Sequence, residues 1–469
     1  MSIKKYAGIL LIFILAFSCK EVNPGRGKAP SSKLKDVVES GTLRVVTDFN
    51  SISYFIYRGQ PMGYQYEMLQ ELANYLGVKL QVVVNNNLQE KFNMLNQNKV
   101  DLIAVNLTVT KERKEQVEFT VPHIQTRQVL IQRKPANWKK MSSKAVGDSL
   151  LHYPLELGGK TVFVQRNSSY VQRLKNLSDE IGDSIGIVQV DEGVEDLIED
   201  VAQGKIKYTV ADENIAQVDQ LYYDNIDISV PVSFRQNLAW AVAKGSDDLK
   251  LAIDNWLTEF KKTRRYAIIY RKYYQNERAA QILDSDYFTY NSGKISPYDA
   301  LIKEYSSQIG WDWRLVASLI YQESRFNPQA KSWAGAYGLM QLMPSTGQRF
   351  GVTPTASPKQ QIRAGVMFLQ WLNDQFSDIP DSIERIKFVL ASYNIGLGHI
   401  LDARALAAKN GKDPDVWDDN VDQFLMNKSN PQYYTDPVVK YGYCRGKETY
   451  RYVADIIERY QHYKNLITR

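Results

Sequence analysis

The feature that most constrains the fold is a change of secondary-structure pattern near residue 275. Before it, β-branched runs such as TLRVVTDF and KLQVVVNN alternate with stretches of helical periodicity such as YQYEMLQELANYLGV. From Ser296 onward, helical stretches and loops follow one another with no convincing strand. Because strands that alternate with helices form parallel-type sheets, we expect an α/β domain followed by a separate, mainly α domain.

The α/β pattern occurs twice. The first block ends with VDLIAVNL, and the second contains GKTVFVQR, IGIVQVD and IKYTVAD before one further strand, NLAWAVAK. Two such blocks in series predict two lobes with a cleft between them, an architecture that binds ligands. The predicted boundaries are 41–274 for this two-lobed domain, 275–295 for a linker and 296–469 for the helical domain.

Composition excludes several classes of protein. The chain has 469 residues, too many for one core, with 44% hydrophobic and 23% charged residues and a net charge of +6. No dense block of Lys and Arg stands out, so no nucleic-acid partner is expected. The two cysteines and four histidines are not spaced as metal ligands, so we expect no metal and no cofactor.

The N-terminus predicts export. Lys4 and Lys5 precede an apolar run over 7–17 that is too short to span a bilayer, as in a secretory signal peptide. Ser18-Cys19 resembles a bacterial lipobox, which implies a signal peptide over 1–18, a lipid on Cys19, a tether over 19–40 and anchoring to the outer membrane from the periplasm. The alternative is plain secretion with Cys19 as a free thiol.

A single acidic residue marks the helical domain. In DWRLVASLIYQES, Val316, Leu319, Ile320 and Glu323 have the spacing of one helix face, and Pro328 ends the helix soon after. Burial and the negative end of the helix dipole both raise a carboxyl pKa, which suits a general acid. The alternative is that the Glu323 side chain points to solvent at the end of the helix. No other Asp or Glu follows before Asp374, although glycosidases usually use two carboxylates.

The two-lobed part resembles the family 3 periplasmic solute-binding proteins, of the amino-acid-binding type. The similarity rests on LRVVTDF, LTVTKERKEQVEFTVPH, GKTVFVQRNSSY and ADENIA. It implies that Arg113 grips a ligand carboxylate with Thr108 beside it, while an isolated arginine would more simply form a surface salt bridge. It also implies a helix start at Ser168 that favours an anion, an amine-binding acid at Asp212 and Asp48 near the pocket. The loop NSISYFIY lacks the usual aromatic run, so a muropeptide is expected as readily as a free amino acid.

The helical part resembles the soluble-lytic-transglycosylase-like (SLT) domain, which has a lysozyme-like fold. The similarity lies in ESRFNPQAKSWAGAYGLMQLMP, ASYNIGLG and YGYCRGKETYRYV. It implies non-hydrolytic cleavage of the β-1,4 bond between N-acetylmuramic acid and N-acetylglucosamine in peptidoglycan, with Glu323 as acid and then base. Further roles implied by position are contacts with substrate or with Glu323 at Ser332, Met340, Gln341, Tyr393, Asn394 and Glu448. Met340 and Tyr393 are alternatively core residues, and Glu448 is the rival acid with an expected structural role.

Together the two parts resemble the membrane-bound lytic murein transglycosylase F family. Three functions remain open from the residues. The first is a peptidoglycan lyase with a regulatory binding domain. The second is a lysozyme-like hydrolase, and the third is a sensor of wall fragments whose helical domain only binds glycan.

Overall fold

The computed structural model describes residues 32–275, 282 and 285–467. The predicted signal peptide, Cys19 and most of the predicted tether lie outside the described residues. No helix within the described ranges is both long and apolar enough to cross a membrane.

Thirteen strands in the described residues all belong to the first domain. They are β1 (Thr42–Thr47), β2 (Phe55–Tyr57), β3 (Gln60–Met62), β4 (Lys79–Val84), β5 (Leu102–Thr108), β6 (Val117–Phe119), β7 (Ile124–Thr126), β8 (Gln128–Arg133), β9 (Thr161–Gln165), β10 (Gly186–Val190), β11 (Tyr208–Asp212), β12 (Ile226–Asp227) and β13 (Gln236–Ala243). The helices between them are α1 (Lys33–Ser40), α2 (Tyr64–Leu76), α3 (Leu88–Asn96), α4 (Lys111–Gln116), α5 (Ser143–Gly147), α6 (Ser169–Ile181), α7 (Val194–Gln203), α8 (Glu213–Gln220), α9 (Asp247–Phe260) and α10 (Arg264–Tyr274).

The strands form two sheets, one for each lobe. Lobe 1 has the order β4-β1-β5-β13-β6, with β7 paired to β13, and lobe 2 has the order β10-β9-β11-β8-β12. The chain passes to lobe 2 between β7 and β8 and returns between β12 and β13. The central strands are parallel as expected, but β13 and β8 run antiparallel to their neighbours β5 and β11. Each of these two strands follows a crossing of the chain from one lobe to the other and runs opposite to its neighbour, which local periodicity does not show.

The second domain is helical. The short helix α11 (Thr289–Ser292) precedes it. The helices of the domain itself are α12 (Asp299–Gln308), α13 (Trp313–Ser324), α14 (Pro344–Arg349), α15 (Pro358–Gln375), α16 (Ser382–Ile395), α17 (Leu397–Lys409), α18 (Asp422–Asn427), α19 (Pro431–Tyr434) and α20 (Gly446–Leu466). The helix α13 is central, since all its residues from Trp313 to Ile320 are buried. It packs against α20, where the Ser318 hydroxyl donates to the Ile456 carbonyl at 2.8 Å.

Two predicted boundaries differ from the structure. Residues 33–40 of the expected tether form α1, because Ser32 caps the helix and Val37, 2% exposed, packs into the core of the first domain. In the expected linker, Phe288 is 1% exposed and its ring lies 5.1 Å from that of Phe55. Ile295 is buried in the core of the helical domain. The described end of the linker is therefore part of the packed structure.

The two domains share a packed interface. The β2–β3 hairpin of lobe 1 lies against the helical domain, where Ile56 joins the helical core. Gly59 at its turn accepts a hydrogen bond from the Tyr463 hydroxyl at 2.6 Å. Nearby, His462 of α20 lies between the hydroxyls of Tyr54 and Tyr66, at 2.5 and 3.2 Å. The last helix of the chain thus packs on both domains.

Candidate active site and ligand cleft

Glu323 lies in the last turn of α13, as the sequence predicts. The helix ends because Arg325 and Phe326 both adopt positive φ, at 51° and 62°. The carboxyl is partly buried, and burial raises its pKa to about 7. The hydroxyl of Tyr452, from α20, donates a hydrogen bond to Glu323 Oε1 and opposes this rise in pKa. Neither cause of the shift is a second carboxylate, so the group titrates near neutrality through its surroundings alone.

A rigid loop follows the helix. The Ser324 hydroxyl donates to the Leu339 carbonyl at 2.7 Å, which joins the end of α13 to the GLMQ segment. Gln361 is 4% exposed and accepts from the Leu339 amide at 2.7 Å. Gly338 has φ 78°, and an added Cβ there would lie 2.6 Å from Gln361 Oε1, so only glycine fits. The loop is held by these buried polar contacts.

Tyr393 approaches Glu323 from α16. Its hydroxyl donates to the Met340 carbonyl at 2.6 Å. Burial, together with the nearby Glu323 carboxylate, raises the pKa of Tyr393 well above its ordinary range, so the hydroxyl stays protonated. Glu323 thus has two neutral phenols near it, one of which donates to it directly.

The cleft between the lobes contains the five predicted ligand contacts. Asp48, Thr108, Arg113, Ser168 and Asp212 all line one inner cavity of about 70 Å³. A larger polar groove of about 720 Å³ adjoins it and shares Thr108, Arg113 and Ser168. Asp212 is brought to the cleft because β11 pairs with β8 in a register that sets it opposite Gln128.

Some of the polar groups in this cavity are unsatisfied. Among the described residues, the buried Ser168 hydroxyl and Asp212 Oδ1 have no hydrogen-bond partner. Burial raises the pKa of Asp212 to about 7, although the Arg113 charge opposes this. Arg113 donates to the carbonyls of Thr108 at 3.0 Å and Asn167 at 3.3 Å, one in each lobe. Buried polar atoms in native proteins nearly always have a hydrogen-bond partner, so these two atoms have capacity to bind a polar ligand or water.

Comparison with known proteins covers both domains. Residues 43–276 match the family model of bacterial extracellular solute-binding proteins, family 3, and residues 300–416 match the transglycosylase SLT domain. Membrane-bound lytic murein transglycosylase F from Desulfosudis oleivorans is 36% identical over 90% of this chain and 90% of its own length. The protein of that name from Stutzerimonas stutzeri is 33% identical over 96% of this chain and 88% of its own.

The chain belongs to the membrane-bound lytic murein transglycosylase F family. It therefore joins a solute-binding domain to an enzymatic SLT domain. Among solved structures, an ancestral amino-acid-binding protein that preceded cyclohexadienyl dehydratase is 26% identical, with a TM-score of 0.43, over 52% of this chain and 100% of its own.

Two residues expected at the active site of this family member lie elsewhere. The Met340 side chain is 1% exposed and packs on Gly365, where an added Cβ would lie 2.1 Å from its sulfur. It is a core residue that contributes only its carbonyl, and this agrees with the packing alternative. The Glu448 side chain is 74% exposed and pairs loosely with Arg445 at 3.9 Å. It points to solvent and is no rival to Glu323.

The remaining predicted residues lie around the loop. Gln341 uses its amide to hold the loop, donating to the carbonyls of Ala330 and Gly338. The Ser332 hydroxyl accepts from the Ala336 amide at 3.0 Å, and exposed Asn394 accepts from the Thr449 hydroxyl at 2.7 Å. The Cys444 side chain is 5% exposed, so its thiol is packed. These contacts make Gln341 a support of the loop, and substrate contact by Ser332 and Asn394 stays a prediction.

Tyr452 is the functional residue that sequence reasoning missed. It lies in the segment KETYRYV, four residues after Glu448, which the resemblance to the SLT domain singles out. The apolar spacing of Thr449, Tyr452, Val453 and Ile456 identifies the buried face of α20, and all four are buried. That pattern was sufficient to point Tyr452 inward and Glu448 outward.

Proposed function

We propose that this protein cleaves peptidoglycan glycan strands at the β-1,4 bond between N-acetylmuramic acid and N-acetylglucosamine, without water as the nucleophile. The observation that carries this is Glu323, a partly buried carboxyl with a pKa raised to about 7 and no second carboxylate contributing to its shift. A pKa near the working pH lets one group donate a proton and then accept one. Family membership supports the same chemistry.

The proposed reaction uses Glu323 twice. Its protonated carboxyl gives a proton to the glycosidic oxygen, the bond from C1 of the muramyl sugar to that oxygen breaks, and N-acetylglucosamine leaves with a free hydroxyl. The carboxylate then takes the proton of the C6 hydroxyl of the muramyl sugar, whose oxygen attacks C1 and closes a 1,6-anhydro ring. One proton is given and one is recovered, so no second carboxylate and no water are needed. The Tyr452 hydrogen bond stabilises the intermediate carboxylate.

Product analysis tests this function. Purified protein is incubated with sacculi, and the masses of the soluble products are measured by mass spectrometry. We expect muropeptides that are lighter by one water than lysozyme products. Glu323→Gln should lose about 10²- to 10⁴-fold of the rate, since general acid and base catalysis contributes that much. Products with reducing ends would establish a hydrolase instead, and undiminished digestion by Glu323→Gln would remove this glutamate from the chemistry.

We infer further that the cleft of the first domain binds an amino-acid-type ligand, either free or as the end of a wall peptide, and regulates the enzyme. The inner cavity of about 70 Å³ suits a small zwitterionic group between Arg113 and Asp212, and the adjoining groove of about 720 Å³ has room for a longer remainder. The packed interface through Gly59 gives the binding domain a direct contact with the catalytic domain.

Calorimetric titration with free amino acids and with purified muropeptides tests this binding. Arg113→Ala should remove binding because the carboxylate loses its charged fork. Arg166→Ala is the matched control, since Arg166 pairs with Asp191 on the surface and lines neither cavity. If neither ligand class binds the wild type, or neither alters sacculus digestion, regulation by this cleft is wrong.

We also propose anchoring through a lipid on Cys19, in the periplasm at the outer membrane. The support is the lipobox-like Ser18-Cys19 after an apolar run and membership of a membrane-bound family. Cys19→Ala should release the protein from the membrane fraction into the soluble periplasm. A wild-type protein that is found in the soluble periplasm after removal of the signal peptide would argue for plain secretion.

A further inference from the structure

Trp333 stands apart from every other aromatic side chain described. Its exposed fraction is 100%, the highest among the large hydrophobic residues that the structure describes. Tryptophan is usually largely buried, because its indole carries a large apolar surface. Single exposed apolar residues are common on protein surfaces, so the exposure of Trp333 gains meaning only from its position in the fold.

The chain presents this side chain on a rigid support. Trp333 follows Ser332 in a tight turn that the Gly335 amide closes by donating to the Ser332 carbonyl at 3.1 Å. The base of the loop is held by the Gly338 amide, which donates to the Ala330 carbonyl at 2.9 Å, and by the bridge between Lys331 and Tyr337. A side chain at the tip of such a turn is displayed with little loss of backbone freedom on binding.

The loop also belongs to the active site. It runs from the end of α13, which holds Glu323, to Met340, whose carbonyl accepts from Tyr393. The Ser324 hydroxyl ties the two ends of this segment together through the Leu339 carbonyl. Trp333 therefore projects from the segment that connects the end of the Glu323 helix with the Met340 carbonyl that Tyr393 contacts.

We propose that Trp333 is a sugar-stacking platform that binds a pyranose ring of the glycan strand outside the cleaved pair. The inference rests on the proposed function, since it assumes a polymeric glycan substrate. A pyranose presents a flat face of C–H groups, and its acetamido methyl adds apolar surface, both of which pack well on an indole. Because Trp333 contacts a sugar remote from the reacting atoms, it contributes to binding of long strands and not to the chemical step.

A lipid surface is the other occupant that a fully exposed tryptophan suits. The loop favours glycan, because Trp333 adjoins Ser332 and the active-site segment. Its sequence neighbours Ala334 and Gly335 add no apolar anchor, and the exposed Lys331 is the nearest cation along the chain. Interfacial helices combine a broad apolar face with several basic residues, which this turn lacks.

Kinetics on glycan strands of defined length test the platform. Trp333→Ala should raise KM for long strands by about three- to tenfold, the range of aromatic contacts, with kcat within about twofold of wild type. Strands too short to reach the platform should show no change, and Trp333→Tyr should restore most of the affinity. Phe234→Ala is the control, because Phe234 is 92% exposed but belongs to the binding domain.

Binding without turnover gives a second measurement. In Glu323→Gln, long glycan strands should change tryptophan fluorescence, and the additional change Trp333→Phe should remove most of that signal.

Equal KM values for Trp333→Ala and wild type at every strand length would overturn the proposal, as would a loss confined to kcat. The proposal would also be overturned if Trp333→Ala lost binding to phosphatidylethanolamine–phosphatidylglycerol vesicles while its KM for glycan strands stayed unchanged. If the wild type gives no anhydro products, the proposed function fails first, whereas an active wild type with an unaffected Trp333→Ala refutes the platform alone.

Discussion

At the residue scale, the chemistry of Glu323 follows from where its carboxyl is held. The same side chain in water has a pKa near 4.5, and burial at the end of α13 raises the pKa to about 7. The hydrogen bond from Tyr452 works in the other direction, since it stabilises the charged form. The carboxyl therefore stays protonated up to near neutral pH and can donate a proton. At higher pH its buried charge destabilises the fold.

Glu323→Gln should stabilise the protein in a pH-dependent way. Because the folded pKa is raised from 4.5 to about 7, the contribution of Glu323 to the stability of the wild type is fully present below pH 4.5 and is lost as pH rises through 7. Glutamine stays neutral, so the variant should gain little at pH 4 and up to about 3 kcal/mol above pH 8. Thermal unfolding at both pH values measures this. Glu448→Gln, at a site 74% exposed, is the control. Equal unfolding temperatures for Glu323→Gln and wild type at pH 8 would contradict the burial argument.

Tyr452→Phe should shift the pH–rate profile. Without the hydroxyl, the pKa of Glu323 rises further, because the contact that lowers it is gone. The activity lost at alkaline pH depends on deprotonation of this acid, so that limb should move to higher pH while the maximal rate falls about tenfold or more. Rates on soluble glycan strands between pH 5 and 9 measure both effects. A profile that keeps its alkaline limb in place would show that Tyr452 does not act on the pKa of Glu323.

At the scale of elements, the β2–β3 hairpin is the part of lobe 1 that contacts the catalytic domain. Gly59 at its turn has φ 80°, and an added Cβ would lie 2.7 Å from ring atoms of both Tyr321 and Phe326. These two aromatic residues flank Glu323 in the sequence, one in α13 and one just beyond it. A change at the hairpin is therefore expected to reach the end of the catalytic helix.

Gly59→Ala tests that contact. The substitution combines left-handed strain of about 1–2 kcal/mol with overpacking of about 1–3 kcal/mol. It should destabilise the protein and slow sacculus digestion. Gly77→Ala is the matched control, because Gly77 has φ 70° and open space around it, so only the strain applies. Denaturant unfolding and digestion rates measure both. Equal effects of the two substitutions would show that the rings yield without cost.

At the scale of the whole molecule, the lobes meet at a buried acidic seam. Glu195 of lobe 2 accepts from the Ser51 amide at 3.0 Å and from its hydroxyl at 2.8 Å, in lobe 1. Burial raises the pKa of Glu195 to about 7, and burial beside Glu195 also raises that of Asp219. The other titratable groups that face this seam are Asp48, Asp196, Glu199, Tyr223 and Tyr290. The contact between the lobes thus places several acids together.

The contact between the lobes at this seam should weaken as pH rises. With a raised pKa, protonated Glu195 supports the seam fully below pH 4.5, and this support is lost as pH rises through 7. Small-angle scattering should show a larger radius of gyration at pH 8 than at pH 5, and Glu195→Gln should reduce that difference. Glu192→Gln, an exposed acid just before the same helix, is the control. A radius independent of pH in the wild type would exclude this seam as a closure device.

The sequence by itself determined the order of the two domains, most strands and helices, and the position of Glu323 at a helix end. These depend on periodicity and breakers within about a dozen residues, which are local signals. The five cleft residues could also be predicted from the sequence, since they follow strand ends or helix starts in segments that resemble a known family. Only the tertiary structure decided which partners meet: Tyr452 with Glu323, 129 residues apart, and Tyr463 with Gly59, 404 apart. It also decided that Met340 packs inward and that the linker end is buried. Such contacts join distant segments through shape and burial, and no local pattern records which segments will meet.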